Sequence, residues 1–165
     1  MAIRNIVKIG DPVLRKKSRK VENFDQKLWT LLDDMKDTLD VAQGVGLAAV
    51  QVGVLRRVVI VDIDDGKGFM ELINPEIVEV SEETEKSEEG CLSLPGQWGL
   101  VERPTTVVVK AQNREGKWCM YKGEGLRARC FCHELDHLEG HVFTDFVEKT
   151  LTEDEVRRMQ NERLN

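Results

Sequence analysis

Histidine is scarce in this chain, and the three that occur all lie between positions 133 and 141. His133 and His137 open and close a His-Glu-x-x-His motif. On a helix, residues four apart share a face, so both imidazoles can reach one metal ion, with Glu134 beside a water that the metal activates. A catalytic site of this kind needs a third protein ligand and an open fourth position for water. The motif therefore predicts a metal-dependent hydrolase, and the alternative is a chance pair of surface histidines.

The third ligand has several candidates, most of them weak. His141 is one helical turn beyond His137, but Gly140 should end the helix before it. The longer metalloprotease motif needs a histidine at the position that Phe143 occupies. The downstream glutamates that could serve instead are Glu153, Glu155 and Glu162. The remaining candidates are the cysteines.

Cysteines occur at positions 91, 119, 130 and 132. We expect a cytosolic chain with a core of this size to need no disulfide bonds, so a cysteine near histidines is better explained as a ligand or nucleophile. Cys91 is the best candidate because Gly90 precedes it and a proline soon follows, a setting that suits a defined loop or strand end. Cys132 is adjacent to His133 and points about 100° away on a helix, so we expect Cys132, like Cys130, to be a core residue.

An amphipathic helix is predicted near the start of the sequence. Asp25 is a suitable N-cap, and after it apolar residues recur on one helical face until the pattern fails near Gly44. These apolar residues are Leu28, Leu31, Leu32, Met35 and Leu39. Acidic residues and Lys36 cover the opposite face, so the helix should pack on one side only.

Two further helices are predicted later in the chain. The first begins just after Gly125 and runs through the histidine motif to about Leu138, with Gly140 as its stop signal. The second is short and begins at Thr152, where the order Thr-Glu-Asp-Glu fits a capping box.

Strand-like runs lie between the helices. They are rich in β-branched residues or bounded by turn signals, and they cover 57–63, 69–73, 77–80, 105–111 and 118–121. Because strands are grouped between two main helices, we predict an α+β fold, a single catalytic domain over 1–165. Mixed or antiparallel strands should pack around a central metal-binding helix, with the amphipathic helix before them and a short helix at the C-terminal end.

The charge distribution limits the partners. The chain has 24 Lys+Arg against 30 Asp+Glu, a net charge of −6, and the whole imbalance comes from the glutamate-rich stretch 76–89. Without a basic excess, we expect no specific nucleic-acid binding. The glutamates from Glu76 to Glu88 should be solvated, as charge runs usually are.

No segment is typical of a membrane protein or a secreted one. The longest stretch without a charged residue, 41–55, has 15 residues and is interrupted by glycines, which is too short to span a bilayer. Residues 1–10 contain no apolar run of the kind that a signal peptide needs. We therefore expect a cytoplasmic protein with no membrane partner, and a monomer as the default state.

Three blocks of the sequence together resemble the peptide deformylases. The family pattern Gly-x-Gly-x-Ala-Ala-x-Gln is matched by 44–51, the pattern Glu-Gly-Cys-x-Ser by 89–93, and the histidine block by 133–138. The blocks occur in the family's order, and the resemblance covers nearly the whole chain. It implies an enzyme that removes the formyl group from the N-terminal methionine of newly synthesised polypeptides and releases formate.

The resemblance implies a ligand set and a metal. Cys91, His133 and His137 hold the metal, with water in the fourth place. The implied ion is Fe(II), one per chain, with Zn(II), Ni(II) or Co(II) as substitutes. Glu89 has a family counterpart that pairs with an arginine matched here by Arg103, so we expect Glu89 to be buried and to orient Cys91.

Catalytic roles also carry over to matched positions. Glu134 is the general base that takes a proton from the metal-activated water and delivers it to the departing amine. The side-chain amide of Gln51 and the backbone N–H of Leu92 donate hydrogen bonds to the oxyanion.

The substrate site follows from the same resemblance. Val45 and Gly46 pair with the peptide as an added strand. Leu126 and Cys130 line, with Val45, the pocket for the first side chain of the substrate. Two interpretations of Arg129 stay open. Its side chain either snorkels past this pocket or alters the preference of the pocket for the first side chain of the substrate.

Two other functions are compatible with the motif. A zinc endopeptidase of the His-Glu-x-x-His type would cleave internal peptide bonds and take its third ligand from the downstream residues. A structural metal-binding module would close its site with a fourth ligand, such as Cys132 or His141, and would not depend on Glu134. The deformylase hypothesis instead predicts formyl-methionine polypeptides as partners, with transient contact to the ribosome.

Overall fold

The computed structural model describes residues 2–164. In this range the α-helices are α1 (Gln26–Ala42), α2 (Leu126–Leu138) and α3 (Glu153–Leu164). The strands are β1 (Gly46–Ala48), β2 (Val58–Asp62), β3 (Phe69–Val80), β4 (Thr84–Cys91), β5 (Leu94–Pro104), β6 (Thr106–Gln112), β7 (Trp118–Glu124) and β8 (Val147–Leu151). Short 3₁₀ helices cover Pro12–Arg15, Ala49–Val52 and Phe143–Asp145. The predicted α+β class is confirmed.

The first helix begins where its capping residue predicts. The Asp25 carboxylate accepts a hydrogen bond from the backbone N–H of Leu28 at 3.2 Å, which satisfies one of the free donors of the first turn. The apolar stripe that begins at Leu28 and ends at Leu39 is buried. The helix ends at Ala42 because Gln43 adopts a left-handed conformation with φ of 58°, just before the Gly44 that the sequence indicates.

The last helix also begins at its predicted cap. The Thr152 hydroxyl accepts from the Glu155 N–H at 3.1 Å, while the Glu155 carboxylate accepts from the Thr152 N–H at 3.2 Å, so the capping box is formed. Val156 is the buried residue of this helix. Over the described part of the chain, every helix is too short or too polar to cross a membrane.

The strands form two antiparallel sheets. The larger has the order β1-β2-β3-β6-β7, and the smaller has the order β4-β5-β8. The two predicted strands 69–73 and 77–80 are one strand, β3, with a register shift between Ile73 and Glu76. Asn74 adopts a φ of 51° at this irregularity, and its side-chain amide exchanges two hydrogen bonds with the backbone of Val21, which holds the strand together across the bend.

Local sequence does not predict the smaller sheet. β4 is rich in glutamate, and β5 contains Pro95, Gly96 and Gly99, residues that are rare in strands. Pairing within the sheet stabilises them instead, since β5 lies between its hairpin partner β4 and the distant strand β8. Gly99 is required at this contact because a Cβ atom there would clash with the side chain of Val147 on β8.

The larger sheet is covered on both faces. On β2, Val59 and Val61 face a core cluster that includes residues of α2, while Val58 and Ile60 face a cluster that includes residues of α1. This explains why β2 is a continuous apolar run rather than an alternating one. The helix α2 also contacts β5 of the smaller sheet, so it lies where the two sheets meet.

Candidate metal centre and active site

Three of the residues selected from the sequence meet at one point. The ligand atoms of Cys91, His133 and His137 all lie within 4.8 Å of one another. The Cys91 Sγ is 3.4 Å from the His137 Nε2. Tetrahedral coordination by a thiolate and an imidazole at ordinary metal–ligand distances separates the two ligand atoms by about 3.6 Å. The spacing of this pair therefore fits a shared metal ion.

Two different elements supply these ligands. His133 and His137 lie one turn apart on α2, whereas Cys91 is the last residue of β4, at the turn into β5. The ladder between the two strands has a register shift between Glu89 and Cys91, and Cys91 then pairs with Leu94. Leu94 and the neighbouring Ser93 are buried, so the turn that presents the thiol is anchored in the core.

Gln51 is oriented toward this turn. Its Oε1 accepts a hydrogen bond from the Ala48 N–H at 3.0 Å, which fixes which end of the amide is the donor. Its Nε2 donates to the Ser93 hydroxyl at 3.1 Å and lies 3.5 Å from the Cys91 Sγ. A side-chain donor is thus held beside the cluster.

Glu134 is buried against the first strand of the large sheet. Its side chain is 4% exposed, and its Oε1 makes no hydrogen bond within the described residues. Burial raises the pKa of Glu134 to about 7, and a cation bound nearby would lower it again. A Cβ atom on Gly46 would lie 2.7 Å from the Glu134 Oε2 and 2.7 Å from the Cys130 Sγ, so the close approach of β1 requires glycine.

Glu89 is the centre of a buried cluster of charges. Arg103 donates two hydrogen bonds to its carboxylate, at 2.8 and 3.0 Å, and Arg129 donates a third at 2.7 Å. The Nδ1 of His133 lies 3.0 Å from the remaining side of the carboxylate. The carboxylate therefore contacts the imidazole of His133. The orientation of Cys91 by Glu89 stays a prediction.

The charge of Glu89 fixes the tautomer of His133. Burial opposes ionisation, but hydrogen bonds from His133 and Arg103 hold the pKa of Glu89 at about 2. An ionised carboxylate only accepts, so the proton of the imidazole must be on Nδ1. Nε2 is therefore the nitrogen of His133 that remains to bind a metal, in place of a proton.

Arg129 belongs to this cluster, a position that neither interpretation from the sequence named. Its guanidinium donates to the carbonyl oxygen of Val101 on β5 at 2.8 Å and to that of Glu85 on β4 at 2.8 Å. Arg129 borders the cavity, but its head group is buried at Glu89 instead of reaching solvent. The available signal was the presence of two arginines, Arg127 and Arg129, among the small and apolar residues that precede the histidine motif.

The electrostatics of the ligand cluster suit a cation. Burial lowers the pKa of His137 well below its ordinary value, which keeps the imidazole neutral, as a metal ligand must be. For His133 burial also acts to lower the pKa, but the negative Glu134, the Cys91 sulfur and Glu89 outweigh it and raise the pKa. A buried site with a carboxylate beside it, and with the thiolate and imidazole donors that transition metals prefer, fits a divalent ion.

A cavity of about 510 Å³ opens beside the cluster. Val45 and Leu126 flank it, with side chains that are 43% and 54% exposed. The residues selected from the sequence that line it are Val45, Gly46, Gln51, Glu89, Cys91, Leu92, Leu126, Cys130, His133 and Glu134. Arg103 and His137 do not line this cavity.

Sequence reasoning missed one side of the cavity. Glu88, Trp98, Gln160 and Arg163 also line it. The prediction that Glu88 belongs to a solvated run is wrong, because its side chain is 8% exposed and pairs with Arg163 of α3. The prediction holds for the glutamates earlier in the run, such as Glu82 and Glu83, which are exposed.

Comparisons with known proteins agree on one family. The family model described as polypeptide deformylase matches residues 3–153. The peptide deformylase of Caldicellulosiruptor bescii is 53% identical over 100% of this chain and 99% of its own length, and that of Acetivibrio thermocellus is 54% identical over 100% and 96%. The crystal structure of peptide deformylase from Thermotoga maritima has a TM-score of 0.86 and 42% identity, over 90% of this chain and 99% of that one. That of a peptide deformylase from Legionella pneumophila has a TM-score of 0.85 and 44% identity, over 99% and 97%.

Proposed function

This chain belongs to the polypeptide deformylase family and is an enzyme of that type, and we propose that it removes the formyl group from the N-terminal methionine of newly synthesised polypeptides and releases formate. The observation that carries the proposal is the cluster of Cys91, His133 and His137, which lies with Glu134 beside a cavity large enough for a methionine side chain.

The cluster would hold one divalent metal per chain. α2 serves as the metal-binding helix by presenting His133 and His137, and β4 presents Cys91. Fe(II) is the proposed resident ion, and Zn(II), Ni(II) or Co(II) suit the same thiolate and imidazole donors. When bound, such an ion supplies a water of lowered pKa and polarises a carbonyl oxygen.

Glu134 moves the proton in the proposed reaction. Its carboxylate is buried beside the ligands, where it can take a proton from the attacking water and deliver it to the nitrogen of the departing amine. Its Oε1 has no hydrogen-bond partner among residues 2–164, which supports a role in which this oxygen contacts substrate.

Two donors stabilise the negative charge that develops on the formyl oxygen. The amide of Gln51 is held with its N–H groups toward Cys91 and Ser93, at the edge of the cavity. The backbone N–H of Leu92 is the second donor, since Leu92 follows the ligand Cys91 and lines the cavity. Fixed donors of this kind need no reorganisation during the reaction.

Glu89 and Arg103 have a supporting role. Arg103 holds the carboxylate of Glu89 with two hydrogen bonds, and also pairs with Asp136 on α2 at 2.8 Å. Glu89 in turn holds the ring of His133, so we assign this pair to the orientation of a metal ligand.

The substrate would lie along β1. This strand is at the edge of the larger sheet, so a peptide can add to it at Val45 and Gly46. Leu126 and Cys130, together with Val45, would surround the methionine side chain; the Cys130 Sγ is 3.8 Å from the Val45 carbonyl oxygen.

Partners and location follow from this substrate. We propose that the protein acts as a monomer in the cytoplasm, as a single catalytic domain, on formylated nascent chains and in transient contact with the ribosome. The charges of α3 are mixed, with Arg157, Arg158 and Arg163 among acidic residues, so the helix has no uniform basic face for RNA.

The endopeptidase alternative is not favoured by the family match. It needs a third ligand from the downstream residues, whereas the cluster uses Cys91. The proposal is tested by incubating the metal-loaded enzyme with a formyl-Met peptide and with its acetyl counterpart. Formate release from the first, without internal cleavage of either, is the expected result; internal cleavage without formate would support the endopeptidase.

A further inference from the structure

The last turn of α3 borders the same cavity as the ligand cluster. Gln160 and Arg163 both line the cavity of about 510 Å³ that contains Cys91. α3 packs against β5, yet Val156 is its buried residue, near the start of the helix. The end of α3 therefore lies at the cavity with little apolar packing to hold it there.

A salt bridge holds the end of α3 at the cavity instead. The Nη2 of Arg163 donates to both carboxylate oxygens of Glu88, and its Nε lies 3.4 Å from the Met159 carbonyl oxygen. The Glu88 side chain is 8% exposed, while that of Arg163 is 52% exposed. A nearly buried carboxylate thus holds a half-exposed guanidinium at the rim through a charge-assisted contact.

This guanidinium has hydrogen-bonding capacity left. Arginine carries five N–H donors. The Nη1 of Arg163 donates to no group between residues 2 and 164, and neither does the amide of Gln160. Both groups therefore present donors to the cavity that the fold itself does not use.

We propose that the last turn of α3 is the outer wall of the substrate groove, where Arg163 and Gln160 donate hydrogen bonds to the peptide downstream of formyl-methionine. The inference rests on the proposed deformylase function. Backbone carbonyl groups are acceptors that every peptide offers, so donors aimed at them suit an enzyme whose substrates differ in sequence. The pairing with Glu88 neutralises the charge of Arg163, so the wall does not select for acidic side chains.

The test compares substrates of two lengths. The kcat/KM is measured for formyl-Met-Ala and for formyl-Met-Ala-Ala-Ala with the metal-loaded wild type, Arg163→Ala and Arg158→Ala. Arg158 is the matched control because it lies on the same helix but lines a separate groove with Lys149. For Arg163→Ala we expect the ratio of the tetrapeptide value to the dipeptide value to fall about tenfold, mainly through KM, since a contact with a charged donor is lost far from the reacting bond.

The other outcomes are also distinguishable. Glu88→Gln should lower the ratio in the same direction, because the guanidinium loses its ionic partner, and Arg158→Ala should keep the wild-type ratio. An unchanged ratio in Arg163→Ala, including an equal loss with both peptides, would overturn the inference, and so would an equal fall in Arg158→Ala. Absence of formate from either peptide with the wild type would instead overturn the proposed function.

Discussion

The Nδ1–H of His133 donates a hydrogen bond to the carboxylate of Glu89 over 3.0 Å, and this contact sets which ring nitrogen faces the ligand cluster. Glu89 is two residues before Cys91 on β4, whereas His133 is on α2. One carboxylate thus connects the two elements that supply the proposed ligands. Its own charge is balanced by Arg103 and Arg129.

The first prediction concerns metal affinity. Glu89→Ala should weaken metal binding about 10- to 100-fold, because His133 loses the partner that fixes its tautomer and ring orientation. The measurement is a competition titration against a chelator of known affinity. Glu83→Ala, in the exposed part of the same glutamate run, is the control and should bind metal as the wild type does. Equal affinity in both variants would mean that Glu89 does not orient a ligand.

The second prediction concerns stability. Arg129→Met should lower the free energy of unfolding by about 3 kcal/mol, since removing one partner of a buried ion pair leaves polar groups without compensation. The affected groups are Glu89 and the carbonyl oxygens of Val101 and Glu85. Urea denaturation of the metal-free protein measures this. Arg157→Met, at a position where the side chain is 69% exposed, should change little, and a similar small change in Arg129→Met would contradict the assignment.

The third prediction concerns Gly46. In Gly46→Ala the new Cβ would lie 2.7 Å from the Glu134 Oε2, so the carboxylate or β1 must move. We expect kcat to fall at least about tenfold, because displacements of this size disturb the alignment of reacting groups. In Gly44→Ala the new Cβ would meet only the flexible side-chain ends of Leu92 and Leu39, so we expect a smaller fall in kcat. Steady-state kinetics measures kcat for both variants. Equal falls in kcat would contradict a special role for the contact between Gly46 and Glu134.

The fourth prediction concerns pH. Arg127, which is 1% exposed, donates to both carboxylate oxygens of Asp65, and these bonds, with the N–H of Lys67, hold the pKa of Asp65 at about 2. A pKa that is lower in the folded state stabilises the fold above the ordinary pKa of about 4, and this stabilisation is lost as the pH falls toward 2. Asp65→Asn should therefore lower the free energy of unfolding at pH 7, by an amount that shrinks between about pH 4 and pH 2.

Urea denaturation at several pH values measures that difference. Asp64→Asn, one residue earlier in the same turn, is the control for a general loss of negative charge. If the free energies of unfolding of wild type and Asp65→Asn differ by an amount that stays constant or grows toward pH 2, the ion pair with Arg127 is not the cause of the difference.

The features that could be predicted from the sequence are those that depend on residues close together in the chain. Asp25 and Thr152 cap helices through residues three positions away, so their roles can be read locally. The contact of Arg129 with Glu89 joins residues 40 positions apart, and that of Arg163 with Glu88 joins residues 75 apart. Contacts of this range exist only once the sheets have formed. This is why the sequence did not show the partner of Arg129 and placed Glu88 in a solvated run.

The residues of the candidate site also divide into those that local sequence predicts and those that it does not. The spacing of His133 and His137 predicted two neighbouring imidazoles because a helix fixes that distance. Cys91 was selected from its local setting and from the family resemblance, and the ladder between β4 and β5 accounts for its position in the structure. The α3 wall of the cavity has no local signal, since Arg163 is surrounded by ordinary surface residues of a polar helix.

The central claim is that Glu134 carries the proton in a metal-dependent deformylation, and its most direct test is Glu134→Gln. This change keeps the size and burial of the side chain but removes its basicity, and His141→Ala, a histidine outside the cluster, is the control for metal loading. We measure formate release from a formyl-Met peptide together with metal content. The account predicts that kcat falls about 100-fold or more while the metal stays bound. Turnover within about twofold of the wild type at full metal content would contradict it.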